Sequence, residues 1–506
     1  MTRTITLASL LSASLLLCGA PLASAQAPAR SAAARADVLF GGKSLDGWKA
    51  IGEPRMTLLP DGSVGAERGN GVLYYATRPY GDFTLELEFL PEVPEAGAAV
   101  LLRLPQPTAT ADEAERNAYQ VKLGESPVPP GGEPVYYKRA TYITGAIDLG
   151  GADSVHDRDQ MSPHRGVTKP MGEWNTLRVD AVGQRYTVYV NGEKVTDFFG
   201  RKATEGYIGL VNHTPDFAVR FRNIRVTPRA ASTAPNSLGE LFAVHDQRAP
   251  IRVLMVTATQ GFRHVYGIAG AVEVMQELSK TTELRVDTTE NLARLNADSL
   301  KPYDVLFFAN STLRIAPKDT TKAALEAVRL QKPIETAVTP EQQKAIIDFV
   351  RSGKGLVVAH AGLDAFYGWN DYKEMVGGGL FWAHPWVKHL RVINEAKTHP
   401  ATRQLGDAFW IREEFYILDT SPRATSRVLL SLDNATLGTP NMGRLPAPEN
   451  SDHPVSWYRT YGQGRVFATI LGHFRDTWHR PEFVQHLLTG IRMSAGRLSA
   501  NGVATK

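Results

Sequence analysis

Two hydrophobic periods divide the chain. Between Asp37 and about Arg229, apolar and polar positions alternate, as where Phe83, Leu85, Leu87 and Phe89 are interleaved with Thr84, Glu86 and Glu88. A period of two predicts strands with one buried face. Tyr186–Val190 runs into Asn191-Gly192 and then Glu193-Lys194-Val195, and Asn-Gly readily takes the positive backbone angles of a two-residue hairpin turn. Val219, Phe221 and Ile224–Val226 close the segment. Many short strands, frequent Gly/Pro turns and hardly any helical pattern over 37–229 predict a lectin-like (concanavalin-like) jelly-roll sandwich.

Residues 230–249, which open Ala-Ala-Ser-Thr-Ala-Pro-Asn, sustain no period and predict a linker. From 250 to 497 the pattern changes. Ile251–Val256, Tyr303–Phe308 and Gly355–Ala359 are mostly continuous apolar runs, as expected of parallel strands covered by helices on both faces. Thr339 caps a helix with Pro340 at its first position and Gln342 placed for a capping box; Ile346, Ile347, Phe349 and Val350 form its apolar side, and Gly353 ends it. Pro481 opens another helix with Phe483, Val484, Leu487, Leu488 and Ile491 on one stripe. The second half therefore predicts a doubly wound α/β domain. It carries no internal repeat, phosphate loop or dinucleotide fingerprint, so no nucleotide cofactor is expected.

Before both halves stands a leader. Arg3, the apolar stretch Leu7–Leu17 and Ala23-Ser24-Ala25 before Gln26 predict a signal peptide over 1–25 and export to the periplasm or medium. The alternative is lipidation at Cys18, although Leu17 is larger than the residue usual before a lipidated cysteine. Cys18 is the only cysteine among 506 residues. Cleavage after Ala25 leaves no thiol, which excludes disulfides, thiolate metal sites and a cysteine nucleophile. No later run approaches the roughly 18 apolar residues of a membrane span. A formal charge of +4 without a dense Lys/Arg block gives no support to a nucleic-acid partner.

The candidate chemistry lies in the second half, which holds nine of the thirteen histidines. His264 follows the first strand, His360 follows Gly355–Ala359, and His473 follows Arg465–Gly472. Parallel strands present their carboxyl ends on one side, so the three imidazoles are placed to converge. Glu413-Glu414 on a strand would point to opposite faces, so one of the two can join them. Three histidines and a carboxylate suit one Zn or Mn ion, and equally an acid/base pair without metal; each alone could also simply bond a loop carbonyl. His384, after Phe381-Trp382-Ala383, is a candidate to line the cleft, whereas His399 and His479 read as loop or capping residues. Trp382, Trp386, Trp410 and Trp478 can stack on sugar or pack a core.

Gly-Phe-Arg-His264, Gly355-Leu-Val-Val-Ala-His360-Ala, Tyr372 through Gly377-Gly378 to His384-Pro385, His399-Pro400, Glu414 with Tyr416, Pro454-Val-Ser-Trp457 and Gly464–His473 together resemble the ThuA-like, or trehalose-utilisation, family. The resemblance implies a flavodoxin-like fold akin to class I glutamine amidotransferases. Family members usually have Asp-Glu where this chain has Glu413-Glu414, which leaves Glu414 as the matching carboxylate. The first half resembles the 3-keto-disaccharide hydrolase domain family through Leu39-Phe40-Gly41-Gly42-Lys43-Ser44-Leu45-Asp46-Gly47-Trp48, Gly172–Thr176, Asn191-Gly192 and Val219–Ile224. It departs at Gln120, where that family usually has Glu, and Gln cannot exchange a proton at neutral pH. Asp148 and His213 remain as substrate-binding candidates there.

Both resemblances imply a carbohydrate-active enzyme, a hydrolase or lyase of glycosides oxidised at carbon 3, and the leader predicts its export. Expected catalytic or metal-ligating residues are His264, His360, Glu414 and His473, with His384, Trp382 and Tyr416 binding the sugar. The alternative is a secreted carbohydrate-binding protein with a non-catalytic ThuA-like partner domain.

Overall fold

A computed structural model describes residues 35–498, except 69–70, 94–96, 106–109, 124–143, 149–159, 162–165, 213–217, 245–249, 316–337 and 441–451. The predicted leader and His213 lie outside the described residues. The alternating segment folds into two antiparallel sheets. One orders its strands Glu193–Phe199, Arg185–Val190, Asn175–Val182, Phe83–Pro91, Val219–Pro228, Val64–Arg68 and Arg55–Leu58, with Asp37–Phe40 also paired to Val219–Pro228. The other runs Gln160–Met161, Ile147–Asp148, Tyr119–Leu123, Ala98–Leu104, Tyr207–Asn212, Gly71–Tyr75 and Trp48–Gly52. Phe83, Leu85, Leu87 and Phe89 all face inward and share a core with Val100, Leu102 and Val121 of the opposite sheet. Each such side chain contributes roughly 1.5–3 kcal/mol of burial. Asn191 and Gly192 turn the predicted hairpin with φ of 51° and 84°.

The second half is built on a nine-stranded sheet. Leu284–Thr289, Ile251–Val256, Val305–Ala309, Gly355–Ala359 and Gly464–Thr469 pair in parallel in that order. Pro454–Tyr461, Arg427–Leu432, Phe381–Asn394 and Ala408–Leu418 then extend it antiparallel. The sheet is thus mixed, where continuous apolar runs predicted parallel strands throughout. Two residues, Gly462 and Gln463, join Tyr461 to Gly464, and so short a link allows only a hairpin, since a parallel crossover needs a dozen or more.

The helices form where their caps predict. Thr339 and Gln342 make both bonds of a capping box, and Gly353 follows Pro340–Arg351 at φ 109°. Pro481–Ser494 packs on Gly464–Thr469 so closely that a Cβ at Gly490 would lie 2.5 Å from the Phe467 ring. Within the predicted linker, Ser237 caps a short helix, Leu238–Leu241, which rests on Val265–Thr281 and buries Leu238 in the second core.

Two histidines away from the strand-end cluster are enclosed by this packing. His479 bonds Glu273, and His486 lies between the Ala401 carbonyl and Ser456 Oγ. Burial lowers each to about 4. In the unfolded chain both titrate near 6.5, so between pH 6.5 and 4 the unfolded state binds the extra protons and stability falls as pH falls. The expected loss by pH 5 is on the order of 2 kcal/mol per histidine. Urea titrations at pH 7 and pH 5 measure it, and His486→Gln should flatten the difference; equal midpoints in the wild type would refute the assignment.

Candidate functional site

The histidine cluster forms because three parallel strands end at one sheet edge. His264 stands at the start of helix Val265–Thr281, His360 follows Gly355–Ala359 directly, and His473 ends the loop after Gly464–Thr469. Glu414 reaches the same place from Ala408–Leu418. One ligand atom from each of the four residues lies within 4.8 Å of every other. Glu414 Oε2 is 3.1 Å from His473 Nδ1, 3.3 Å from His360 Nε2 and 3.7 Å from His264 Nε2. His360 Nε2 is also 3.2 Å from His473 Nδ1.

His360 is fixed twice. Its backbone adopts φ 47°, which is uncommon for a residue with a side chain and is tolerated where surrounding structure demands it. Its Nδ1 lies 2.8 Å from the Ile470 carbonyl, and a carbonyl can only accept, so Nδ1 carries the hydrogen and Nε2 offers a lone pair to the cluster. That second bond orients the ring as metal-binding histidines require. His264 Nδ1, in contrast, is buried without a hydrogen-bond partner among the described residues. Tyr416 stacks on His360, with its hydroxyl 3.0 Å from Nε2.

Burial lowers His360 to about 3 and also lowers His264, only partly opposed by Glu414. Burial alone would raise Glu414, but the imidazoles of His473, His264 and His360 around it outweigh burial and hold the carboxylate well below the usual range. Glu413 points to the other face, as alternation predicts. Its carboxylate accepts from Gly472 N, His473 N and Thr477 Oγ1 at 2.9, 3.1 and 2.5 Å, and thereby fixes the loop that carries His473. Burial raises it to about 7. Imidazole nitrogens around one carboxylate are the donor set of Zn or Mn, so the residues present fit a divalent ion.

Around the cluster lies a rim with its own chemistry. His384 Nδ1 is 3.3 Å from Glu414 Oε1, and Phe381 stacks on His384 and meets Tyr416 edge-on. Trp382 is 40% exposed, and Phe262, 67% exposed, stands edge-on to His264. Asp364 was not singled out by sequence reasoning, although it sits four residues after His360 in His-Ala-Gly-Leu-Asp. It accepts from the Tyr367 hydroxyl at 2.7 Å and lies 3.7 Å from the Arg314 guanidinium. Burial raises its pKa, opposed by Tyr367 and Arg314, and its charge acts on both His264 and Glu414. Arg314 also lies under the His264 loop, where its Nη2 would be 2.8 Å from a Cβ at Gly261.

Other candidates lie apart from this group. Asp148 pairs with Lys122 at 3.4 Å in the sandwich, and Lys122 in turn donates to Gln120 Oε1 at 2.7 Å. His399 stacks on Tyr458, while His479 forms the C-cap of helix Arg475–Trp478. Trp386 and Trp478 are core residues.

Family comparison divides the chain as the motifs do. Residues 252–493 match the trehalose-utilisation (ThuA) family, and residues 35–227 match the 3-keto-alpha-glucoside-1,2-lyase-like domain. The C-terminal half thus resembles the first family and the N-terminal half the second. Among solved structures, a candidate ThuA-like protein from Bacteroides uniformis is 20% identical with a TM-score of 0.38, over 49% of this chain and 95% of its own. A candidate glycosyl hydrolase from Parabacteroides distasonis is 21% identical with a TM-score of 0.29, over 38% of this chain and 100% of its own. A galectin-like protein of unknown function from Bacillus subtilis is 13% identical with a TM-score of 0.26, over 40% and 99%. No curated protein matches significantly.

Proposed function

We propose that this is an exported enzyme that cleaves glycosides oxidised at carbon 3 of the sugar ring, with the strand-end cluster as its reaction centre. The observation that carries the reading is the convergence of His264, His360, Glu414 and His473 within 4.8 Å at one buried edge, in the half that resembles the ThuA family. A ketone at carbon 3 acidifies the hydrogen on carbon 2. Removing that proton gives an enolate, which reforms the ketone as it expels the glycosidic oxygen from carbon 1. Water added across the new carbon 1–carbon 2 double bond completes a net hydrolysis.

His264, His360, His473 and Glu414 would hold the divalent ion, which supplies the concentrated positive charge an enolate needs. Among the described residues the short contacts of the Glu414 carboxylate are to imidazoles, so its role in this scheme is ligation, and the base lies elsewhere. Asp364 suits that role. It is a carboxylate outside the ligand set whose pKa burial raises towards the range of a working base. Tyr367 and Arg314 hold it in place. His384, half-exposed at the rim, is positioned to bind the sugar or return a proton to the leaving oxygen. Phe262 and Trp382 offer faces for the ring.

The sandwich fits a binding role better than a catalytic one. Gln120 spends its amide on the Glu115 carbonyl and its oxygen on Lys122, and neither group of the amide titrates. Asp364→Asn tests the assignment of the base. It should lower kcat on a 3-keto glucoside by about 10²–10⁴-fold, as loss of a general base does, with KM and bound metal little changed. Metal content measured on the variant separates this from damage to the ligand set, and wild-type kcat would remove Asp364 from the mechanism.

A further inference from the structure

A second cavity, apart from the cluster, lies where the two halves meet. It encloses about 340 Å³, near the lower end of the roughly 300–1,000 Å³ of small-molecule sites. One wall comes from Glu193–Phe199, the outermost strand of its sandwich sheet. The other comes from Ala408–Leu418, the outermost strand of the nine-stranded sheet, with Arg480 and the start of helix Pro481–Ser494.

The lining specifies a ligand class. Lys194 and Arg480 stand with Asp197 and Glu482 in the lining, so the cavity has donors and acceptors of both signs rather than a single-sign patch. Asp197 is held rigid by Arg185, at 2.9 and 2.8 Å, and by Lys194 at 3.4 Å. Arg480 Nε is buried with no partner among the described residues, and buried donors of this kind ordinarily have one. Gln404 adds an amide, and Trp410 supplies an aromatic face. An aromatic platform with paired donors and acceptors recognises a ring that is apolar on its C–H face and hydroxylated at its edge.

We infer that this junction cavity is a second, non-catalytic site that binds an uncharged mono- or disaccharide between the two halves. It takes ordinary sugars as well as oxidised ones, because nothing in its lining reads a ketone. Leu471 lines it two residues before His473, and Ile411 lines it three residues before Glu414. A bound sugar therefore touches two segments that carry cluster residues. The inference is independent of the reaction proposed above.

The test is calorimetric titration with methyl α-glucoside and with sucrose, and glucose 6-phosphate and glucuronate serve as charged controls. It compares the wild type with Trp410→Ala, Trp410→Phe, Gln404→Ala and a His360→Ala/Glu414→Gln double variant. At least one uncharged sugar should bind, and the double variant should keep that affinity. Trp410→Ala and Gln404→Ala should weaken it about tenfold or more, and Trp410→Phe, which keeps a ring, should stay within about threefold. If Trp410→Ala fails to fold, Gln404→Ala and Trp410→Phe decide. Unchanged affinity in Gln404→Ala and Trp410→Ala, loss only in the double variant, tighter binding of the charged sugars, or no binding at all would each overturn the inference.

Discussion

Replacing His360 with alanine, or Glu414 with glutamine, should lower turnover of a 3-keto glucoside by about 10³-fold or more. The two substitutions act differently on one assembly. His360→Ala removes a buried imidazole whose Nε2 faces Glu414, His473 and Tyr416, and it also abandons the Ile470 carbonyl that oriented the ring. Glu414→Gln keeps the volume but replaces the one negative group that three imidazoles surround. Because the residues act as a unit, the double variant should be little worse than either single one. Rates from steady-state assays, paired with thermal melts to establish folding, are the measurement. Wild-type turnover in both single variants would place the chemistry outside this cluster.

Much of this site is legible in the sequence, for a physical reason. Parallel strands put their carboxyl ends on one side whatever the length of the connections, so His264, His360 and His473, separated by up to 209 residues in number, are set together by three strand-end positions. Alternation along Ala408–Leu418 likewise separates Glu414 from Glu413. Local capping chemistry was equally readable at Thr339 and Pro481.

What was not legible depends on partners that no local pattern encodes. Asp364 lies in a turn rather than a regular element, and its environment is made by Tyr367 and Arg314, the latter from the segment after another strand. Glu413 looked like the spare carboxylate of a pair, yet its three bonds reach 59 to 64 residues along the chain. The junction cavity needs edge strands from both halves. Its one visible signal is Trp410, which the sequence assigns to core packing ahead of sugar.

Stripping divalent ions should reduce activity to below about 1% of its starting value and lower the melting temperature, with Zn or Mn restoring both. The reason lies in the spacing of like groups. His360 Nε2 and His473 Nδ1 approach to 3.2 Å, and Glu414 Oε2 lies 3.1–3.3 Å from each. Lone pairs and a carboxylate this close need a shared cation. Without metal that cation is a proton, which burial resists at His360 and His264; a divalent ion removes the conflict, so its binding favours the folded state. At a thousand times its dissociation constant a ligand adds about 4 kcal/mol, or roughly 10 °C for a domain of this size at about 2–4 °C per kcal/mol. Elemental analysis, assays in chelator and melts with and without added metal measure the three consequences together. A preparation free of divalent metal that keeps full activity in chelator would leave the cluster as an acid/base group only.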